Sequence, residues 1–238
     1  MNSVLSEIHS EGCIAVLTIE NGAKNFISEP EFIEREKLLA WLEDNPQIKA
    51  LVITGKGRHF SLGADVSLFD AANVSTISEK LKKGRELLDT IEHLPIVTVA
   101  AVNGGCFGGG LEIAMSCQFR IASSKARLGL TEVMHGVVPG MGGMERLSRI
   151  IGREKALQMI LQAEMLSADK ALSIGLVTKV TEEKDALQEA LKFAEDIVSS
   201  VSLTQINAVI NTLNRAADGH PDPSFGAFET TLEEAFGK

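Results

Sequence analysis

A glycine-rich run, NGGCFGGGLE at residues 103–112, is the feature that most constrains the fold of this chain. The preceding residues 95–102, PIVTVAAV, are apolar and rich in β-branched side chains, which predicts a buried strand. The following residues 111–117 have the composition of a helix. The glycines therefore lie at a corner where a strand turns into a helix.

Such a corner favours binding of an oxygen that gains negative charge. Glycine has no Cβ, so Gly108, Gly109 and Gly110 can adopt positive φ and let backbone amides approach another molecule. The first amides of the helix lack intrahelical partners and lie at the positive end of its dipole. Glu112 falls on the same helical face as Gly109, where a carboxylate suits an acid or base beside a developing oxyanion. The alternative is a tight packing turn with an ordinary first-turn glutamate, and this run alone does not decide between them.

Composition and motif spacing exclude several classes of protein. The 238 residues carry a net charge of −9 without a basic cluster, so we expect no nucleic-acid partner. We expect no membrane association and a cytoplasmic location, because no apolar run reaches about 18 residues and the N-terminus does not resemble a signal peptide. The three cysteines suit reduced thiols. The single Glu-x-x-His at Glu132 and His135 predicts no metal site, and the glycine spacing fits neither a phosphate loop nor a dinucleotide motif.

The predicted elements alternate at first and then become helical. Strands are predicted at 13–20, 48–54, 95–102, 118–123, 126–130 and 176–180. Helices are predicted at 28–42 with a cap at Ser28, and at 75–93, 111–117, 143–151, 153–165, 168–173, 182–201, 203–215 and 224–236. This order favours an α/β core over residues 1–181 and a helical region over residues 182–238. The apolar stripes in residues 182–215 predict self-association.

Two further segments are candidates for the same site. In FSLGAD, residues 60–65, a backbone amide after Gly63 can point at a ligand oxygen. In LTE, residues 130–132, Glu132 lies at a strand end and precedes a second glycine corner, VPGMGG at 138–143. Each segment taken alone is more readily explained as structure.

Together, in this order and at this spacing, the four motifs resemble those of the crotonase (enoyl-CoA hydratase/isomerase) superfamily over about residues 10–215. The resemblance implies a spiral core of ββα turns, a C-terminal helical region used in trimer formation, and a coenzyme A thioester as substrate without a separate cofactor. By the family pattern, the amides of Ala64 and Gly109 form an oxyanion hole, and Glu112 and Glu132 are the catalytic carboxyl groups. The substrate-binding residues that the pattern implies are Ala23, Gly63, Asp65, Val66, Gly108 and Gly140.

The resemblance implies an enoyl-CoA hydratase-like lyase of fatty acid metabolism that assembles as a homotrimer or hexamer. The alternatives are a double-bond isomerase, a carrier-tethered dehydratase or decarboxylase, and a non-catalytic acyl- or RNA-binding member. Members that depend on a tyrosine are disfavoured, because the chain contains none. The C-terminal tail looks shortened relative to the family. We therefore expect a wide acyl end covered by Phe225, Phe228 and Phe236, and a preference for bulky acyl groups.

Overall fold

The computed structural model describes residues 6–65, 74–182, 185–217, 219 and 224–236. Its main sheet contains, side by side in this order, β1 (Ser6–Glu11), β2 (Ile14–Ile19), β3 (Ala50–Gly55), β4 (Val97–Val102), β6 (Phe119–Ser123) and β9 (Lys179–Thr181). The outer strand β1 is antiparallel to β2, and the other neighbours are parallel. A smaller sheet contains β5 (Gly105–Phe107), β7 (Arg127–Gly129) and β8 (Leu166–Ser167).

Repeated strand–strand–helix turns connect the two sheets. In one turn β4 lies in the main sheet, β5 lies in the small sheet, and α3 (Gly109–Ser116) follows. In the next turn β6 and β7 take the same places before α4 (Gly143–Ile151). An earlier turn runs from β3 through Ser61, which bridges to Cys106 of β5, and then to α2 (Val74–Glu92). This is the spiral of ββα turns that the resemblance implies.

The main sheet is covered on both faces, which explains its almost wholly apolar strands. Every residue of β3 and β4 is buried. One face contributes to a core shared with α2 and α3, and the other packs against α7 (Ala186–Val198). Parallel strands buried on both faces need no alternation of polar and apolar residues.

The remaining helices are α1 (Arg35–Asp44), α5 (Arg153–Leu161), α6 (Ala168–Ser173), α8 (Leu203–Ala217) and α9 (Ser224–Phe236). Helices alone follow β9 among the described residues, as predicted. No helix in those ranges combines the length and the apolar character that crossing a membrane requires. The cytoplasmic location stays a prediction.

Several predicted helix ends are wrong. The helix predicted from Ser28 begins only at Arg35, and the Ser28 hydroxyl accepts a hydrogen bond from Asn21 Nδ2 instead of capping it. The helix predicted over 153–165 ends at Leu161, because Ala163 adopts the left-handed φ of 48°. The helix predicted over 182–201 is confined to α7.

The glycine-rich run also contains more structure than the sequence predicts. Its first half forms β5, and α3 begins at Gly109, ahead of the predicted start at Leu111. Positive φ, expected for three glycines, occurs only at Gly108, at 52°. The sequence does not predict β1, β5 or β8. The last two are too short to show a periodicity of their own.

Candidate active site

Three chain segments end together at one edge of the small sheet. Ser61 pairs with Cys106, and Cys106 pairs with Leu128, so the segments run parallel and side by side. The carboxyl ends of parallel strands meet at one edge of a sheet. The residues that follow these three ends, and therefore lie close together, are Ala64, Gly109 and Glu132.

The backbone amides of Ala64 and Gly109 are available to a ligand. Within the ranges that the structure describes, neither donates to a protein acceptor, and Gly109 is the first residue of α3. A Cβ built on Gly63 would lie 3.4 Å from the amide nitrogen of Gly109, which shows how closely the two segments approach. The same Cβ would lie 2.7 Å from the Phe107 carbonyl oxygen, and Gly63 has a φ of 85°, so this approach requires glycine.

The carboxylate of Glu112 is buried and fixed by backbone amides. Only 2% of the residue is exposed, and its Oε1 accepts hydrogen bonds of 2.8 Å from the amides of Met141 and Gly143. A Cβ on Gly143 would lie 2.8 Å from that oxygen, so the second glycine corner also requires glycine here. Burial raises the pKa of Glu112, while the two amide bonds favour the ionised form and oppose the rise.

Glu132 is a carboxyl group placed to exchange a proton. It begins a 3₁₀ helix, Glu132–His135, and its buried Oε2 has no hydrogen-bond partner among the described residues. A Cβ on Gly108 would lie 3.2 Å from its Oε1, so this glycine leaves room for the carboxyl group. Burial raises the pKa of Glu132 to about 7, and the charge of Glu112 contributes to the rise. Both protonation states are therefore accessible near neutral pH.

These groups open into one cavity of about 360 Å³. Its polar end contains Gly63, Ala64, Gly108, Gly109, Glu112 and Glu132. The apolar side chains that line it are Ile27, Pro30, Leu62, Val74, Ile77, Leu81, Val137, Val138 and Met141. The cavity therefore fits a molecule with a carbonyl group at one end and an apolar chain at the other.

Of the other residues expected to bind substrate, some line the cavity and some do not. Gly140 lines the cavity, whereas Ala23 is exposed and Asp65 half-buried, and neither is among the lining residues. Their roles stay predictions. Val66 lies outside the described residues.

The final helix does not supply the cover that the sequence suggested for the acyl end. Phe228 is 57% exposed and does not line the cavity. The side chains of Phe225 and Phe236 lie outside the described residues. Phe228 therefore does not cover the acyl end, and the expected preference for bulky acyl groups stays a prediction.

Arg146 is a structural residue of the site that the sequence reading missed. It is buried, and its guanidinium donates to the Met141 carbonyl and to Glu92 Oε2, each at 2.8 Å, and also pairs with Asp89. It thereby ties the loop that holds Glu112 to α2. The sequence gives no local signal for this role, because Arg146 lies between Glu145 and Leu147 as an ordinary charged residue of α4 would.

Asn25 is a second residue that the sequence did not reveal. It is buried in the left-handed conformation with a φ of 47°, and its Nδ2 donates to the carbonyls of Lys56 and His59. Its own carbonyl accepts from Ser61 Oγ, which also accepts from the amide of Gly63. Asn25 therefore fixes the segment that leads into Ala64.

Glu132 and His135 share one 3₁₀ helix and both line the cavity. Across the described ranges, no three His, Cys, Asp or Glu side chains come together as metal ligands could.

The chain is similar to one family of known proteins. The model of the enoyl-CoA hydratase/isomerase family matches residues 9–238. A short-chain-enoyl-CoA hydratase of Clostridium acetobutylicum is 38% identical over 240 residues, covering 100% of this chain and 89% of that protein. A crotonyl-CoA hydratase of Syntrophomonas wolfei is 36% identical over 198 residues, covering 82% and 76%.

Solved structures show the same fold. DspI of Pseudomonas aeruginosa is 30% identical with a TM-score of 0.81, covering 98% of this chain and 94% of that one. An enoyl-CoA hydratase from a Polaromonas species is 27% identical with a TM-score of 0.83, covering 97% and 90%.

Proposed function

Since the chain belongs to the enoyl-CoA hydratase/isomerase family, we propose that it adds water reversibly across the 2,3-double bond of an acyl-CoA thioester. The observation that carries this proposal is the pairing of Glu112, held by two amides, with Glu132, whose Oε2 has no partner in the described chain. Both carboxyl groups face the cavity that contains the amides of Ala64 and Gly109. The two relatives named as hydratases support the same reaction.

The two amides act on the thioester carbonyl oxygen. When a hydroxyl group adds at C3, the electron pair of the double bond moves towards the thioester and negative charge develops on that oxygen. Donors already held in place stabilise this charge without reorganisation, and one such donor is typically worth about 3 kcal/mol of the barrier. Ala64 and Gly109 supply the two donors.

The two carboxyl groups divide the proton transfers. Glu112, whose amide bonds favour the ionised form, accepts a proton from water as the oxygen bonds to C3. Glu132, with its pKa near 7, is neutral in the reactive form and gives its proton to C2 of the enolate. The product gains one water, and return of the proton from Glu112 to Glu132 restores the starting state.

Product identity on two classes of substrate tests the proposal. A hydratase converts a 2-enoyl-CoA into a 3-hydroxyacyl-CoA that is heavier by one water. An isomerase instead converts a 3-enoyl-CoA into the 2-enoyl-CoA without a change of mass. Mass spectrometry should show the water adduct as the main product from crotonyl-CoA. Turnover of the 3-enoyl substrate alone would favour the isomerase. Turnover only of a carrier-tethered enoyl group would favour the dehydratase.

The rate should depend on pH because the carboxyl pair must hold one proton. Glu132 loses its proton as pH rises through about 7, so kcat/KM for hydration should fall above that value. The dehydration rate should fall over the same pH range. Hydration and dehydration both pass through the form in which Glu112 and Glu132 share one proton, and that proton belongs to the pair as a whole. Stopped assays in both directions across pH measure this. A flat profile through pH 7 would contradict the assigned role of Glu132.

We also propose that the protein assembles as a homotrimer or a dimer of trimers, for a reason that differs from the sequence argument. The apolar stripe of α7 faces inward, with Ala186, Ala190, Ala194 and Val198 buried against the main sheet. It is α8 that exposes large apolar side chains, with Val209 58% and Leu213 64% exposed. They line an apolar groove of about 370 Å³ with Ile197 and Val201.

Light scattering at micromolar concentration should give the mass of three or six chains. The physical reason is that exposed apolar patches of this kind mark association surfaces. A monomeric mass under these conditions would contradict the proposed assembly.

A further inference from the structure

One face of α2 lines the cavity from Val74 to Leu81, and the lining ends there. Val74, Ile77 and Leu81 lie on that face at the spacing of successive helical turns, and all three contact the cavity. The next position on the same face is Gly84, which is buried and does not line the cavity. Something other than the direction of α2 therefore ends the cavity at this point.

The side chain of Met141 fills that position. A Cβ built on Gly84 would lie 2.6 Å from Met141 Sδ, and a Cβ built on Gly109 would lie 3.0 Å from Met141 Cε. Met141 is only 3% exposed, yet it lines the cavity. Its side chain therefore occupies the gap between a glycine of α2 and the glycine that supplies an oxyanion donor.

The same Cβ on Gly84 would lie 2.6 Å from Pro30 Cβ and 3.1 Å from the Pro30 carbonyl carbon, so Met141 and Pro30 form this boundary together and the thioether is its flexible part. Gly84 and Gly109 have no side chains that could move in to replace the thioether, and the Pro30 ring is rigid. The catalytic contacts of Met141 use its backbone: its amide donates to Glu112 and its carbonyl accepts from Arg146. Shortening the side chain therefore changes the cavity while leaving these hydrogen-bonding atoms in place.

We propose that the side chain of Met141 sets the upper limit of acyl chain length by closing the cavity on the side of Gly84. This inference rests on the proposed function and names its substrate class, short 2-enoyl thioesters, in place of the bulky acyl groups that the sequence suggested. A longer chain has to displace the Met141 thioether from between the two glycines before it can keep its carbonyl on Ala64 and Gly109.

The test compares kcat/KM on crotonyl-, hexenoyl-, octenoyl- and decenoyl-CoA for the wild type, Met141→Ala and Met144→Ala. The last variant is a matched control, because Met144 is 38% exposed on α4 and does not line the cavity. In the wild type kcat/KM should fall with chain length. In Met141→Ala the ratio of octenoyl- to hexenoyl-CoA should rise about tenfold or more, the scale of burying two further methylenes. Met144→Ala should keep the wild-type ratio.

Two results would overturn the inference. One is a Met141→Ala protein whose rates fall equally on all four substrates, because then the side chain supports the Glu112 loop and does not limit length. The other is the same shift of selectivity in Met144→Ala. If Met141→Ala does not fold, Met141→Val carries the test, since its side chain is also shorter, and a ratio unchanged from wild type would contradict the inference.

A binding measurement distinguishes failure of this inference from failure of the proposed function. Calorimetry with saturated butyryl- and octanoyl-CoA reports chain-length selectivity without turnover. Octanoyl-CoA should gain affinity relative to butyryl-CoA in Met141→Ala, even if no 2-enoyl-CoA is hydrated. An unchanged affinity ratio would overturn the role of Met141, whereas absence of hydration by the wild type would overturn the proposed function alone.

Discussion

Glu132→Gln should lower kcat for hydration by about 10²-fold or more, the scale of losing a positioned acid or base. Glutamine has the same shape as glutamate but cannot donate the proton that C2 requires. Because Glu132 Oε2 has no partner in the described chain, the exchange breaks no hydrogen bond to that atom, and the fold should persist. Steady-state assays on crotonyl-CoA, with thermal unfolding as a check of folding, measure the effect.

Glu112→Gln should cause a loss of the same order through a different step. Its amide oxygen can still accept from Met141 and Gly143, but the neutral side chain cannot take the proton of water. Glu154→Gln, an exposed change in the first turn of α5, serves as the control and should keep wild-type activity. Loss of hydration with retained double-bond migration in Glu112→Gln would favour an isomerase. Full activity in both Glu132→Gln and Glu112→Gln would contradict the enzyme class.

Gly109→Pro should reduce kcat/KM by 10²-fold or more, because proline deletes the amide hydrogen that the oxyanion hole requires. Gly109 is the first residue of α3, a position at which proline suits a helix, since the missing hydrogen bond is absent there anyway. The substitution therefore removes a donor with little cost to the helix. The rate should fall without a matching fall in the melting temperature.

Gly109→Ala is the matched control for this change. Its Cβ would lie 3.0 Å from Met141 Cε, the mobile end of a side chain, and the amide hydrogen is retained. Alanine should therefore retain most of the activity that proline removes. Equal losses in the two variants would show that bulk and not the missing donor is responsible, and a near-normal rate in Gly109→Pro would remove Gly109 from the oxyanion hole.

The sequence predicted the local placement of the candidate site residues better than the way in which their segments come together. The placement of Gly109 and Glu112 follows from their spacing on one helix, and the glycine corners mark places where backbone must approach a side chain. The alignment of Ala64 with Gly109 depends instead on pairing between Ser61 and β5. That strand has three residues and begins with glycine, so its pairing is decided by tertiary contacts and not by a local pattern.

Long-range contacts also explain the residues that the sequence did not reveal. Arg146 finds its acidic partners on α2, 54 and 57 positions earlier in the chain, and Met141 meets a glycine of the same helix. The apolar stripe of α7 is covered by the main sheet of the same chain, because the sheet face beneath it is equally apolar. Periodicity identifies a buried helical face but does not identify what covers it.

Turnover of crotonyl-CoA by the wild-type protein in isotopically labelled water tests the central claim most directly. The reaction proposed for Glu112 and Glu132 predicts a 3-hydroxyacyl product with one solvent oxygen at C3 and one solvent hydrogen at C2, both located by mass spectrometry and NMR. Exchange of hydrogen at carbon without incorporation of solvent oxygen, or recovery of unchanged crotonyl-CoA, would contradict it.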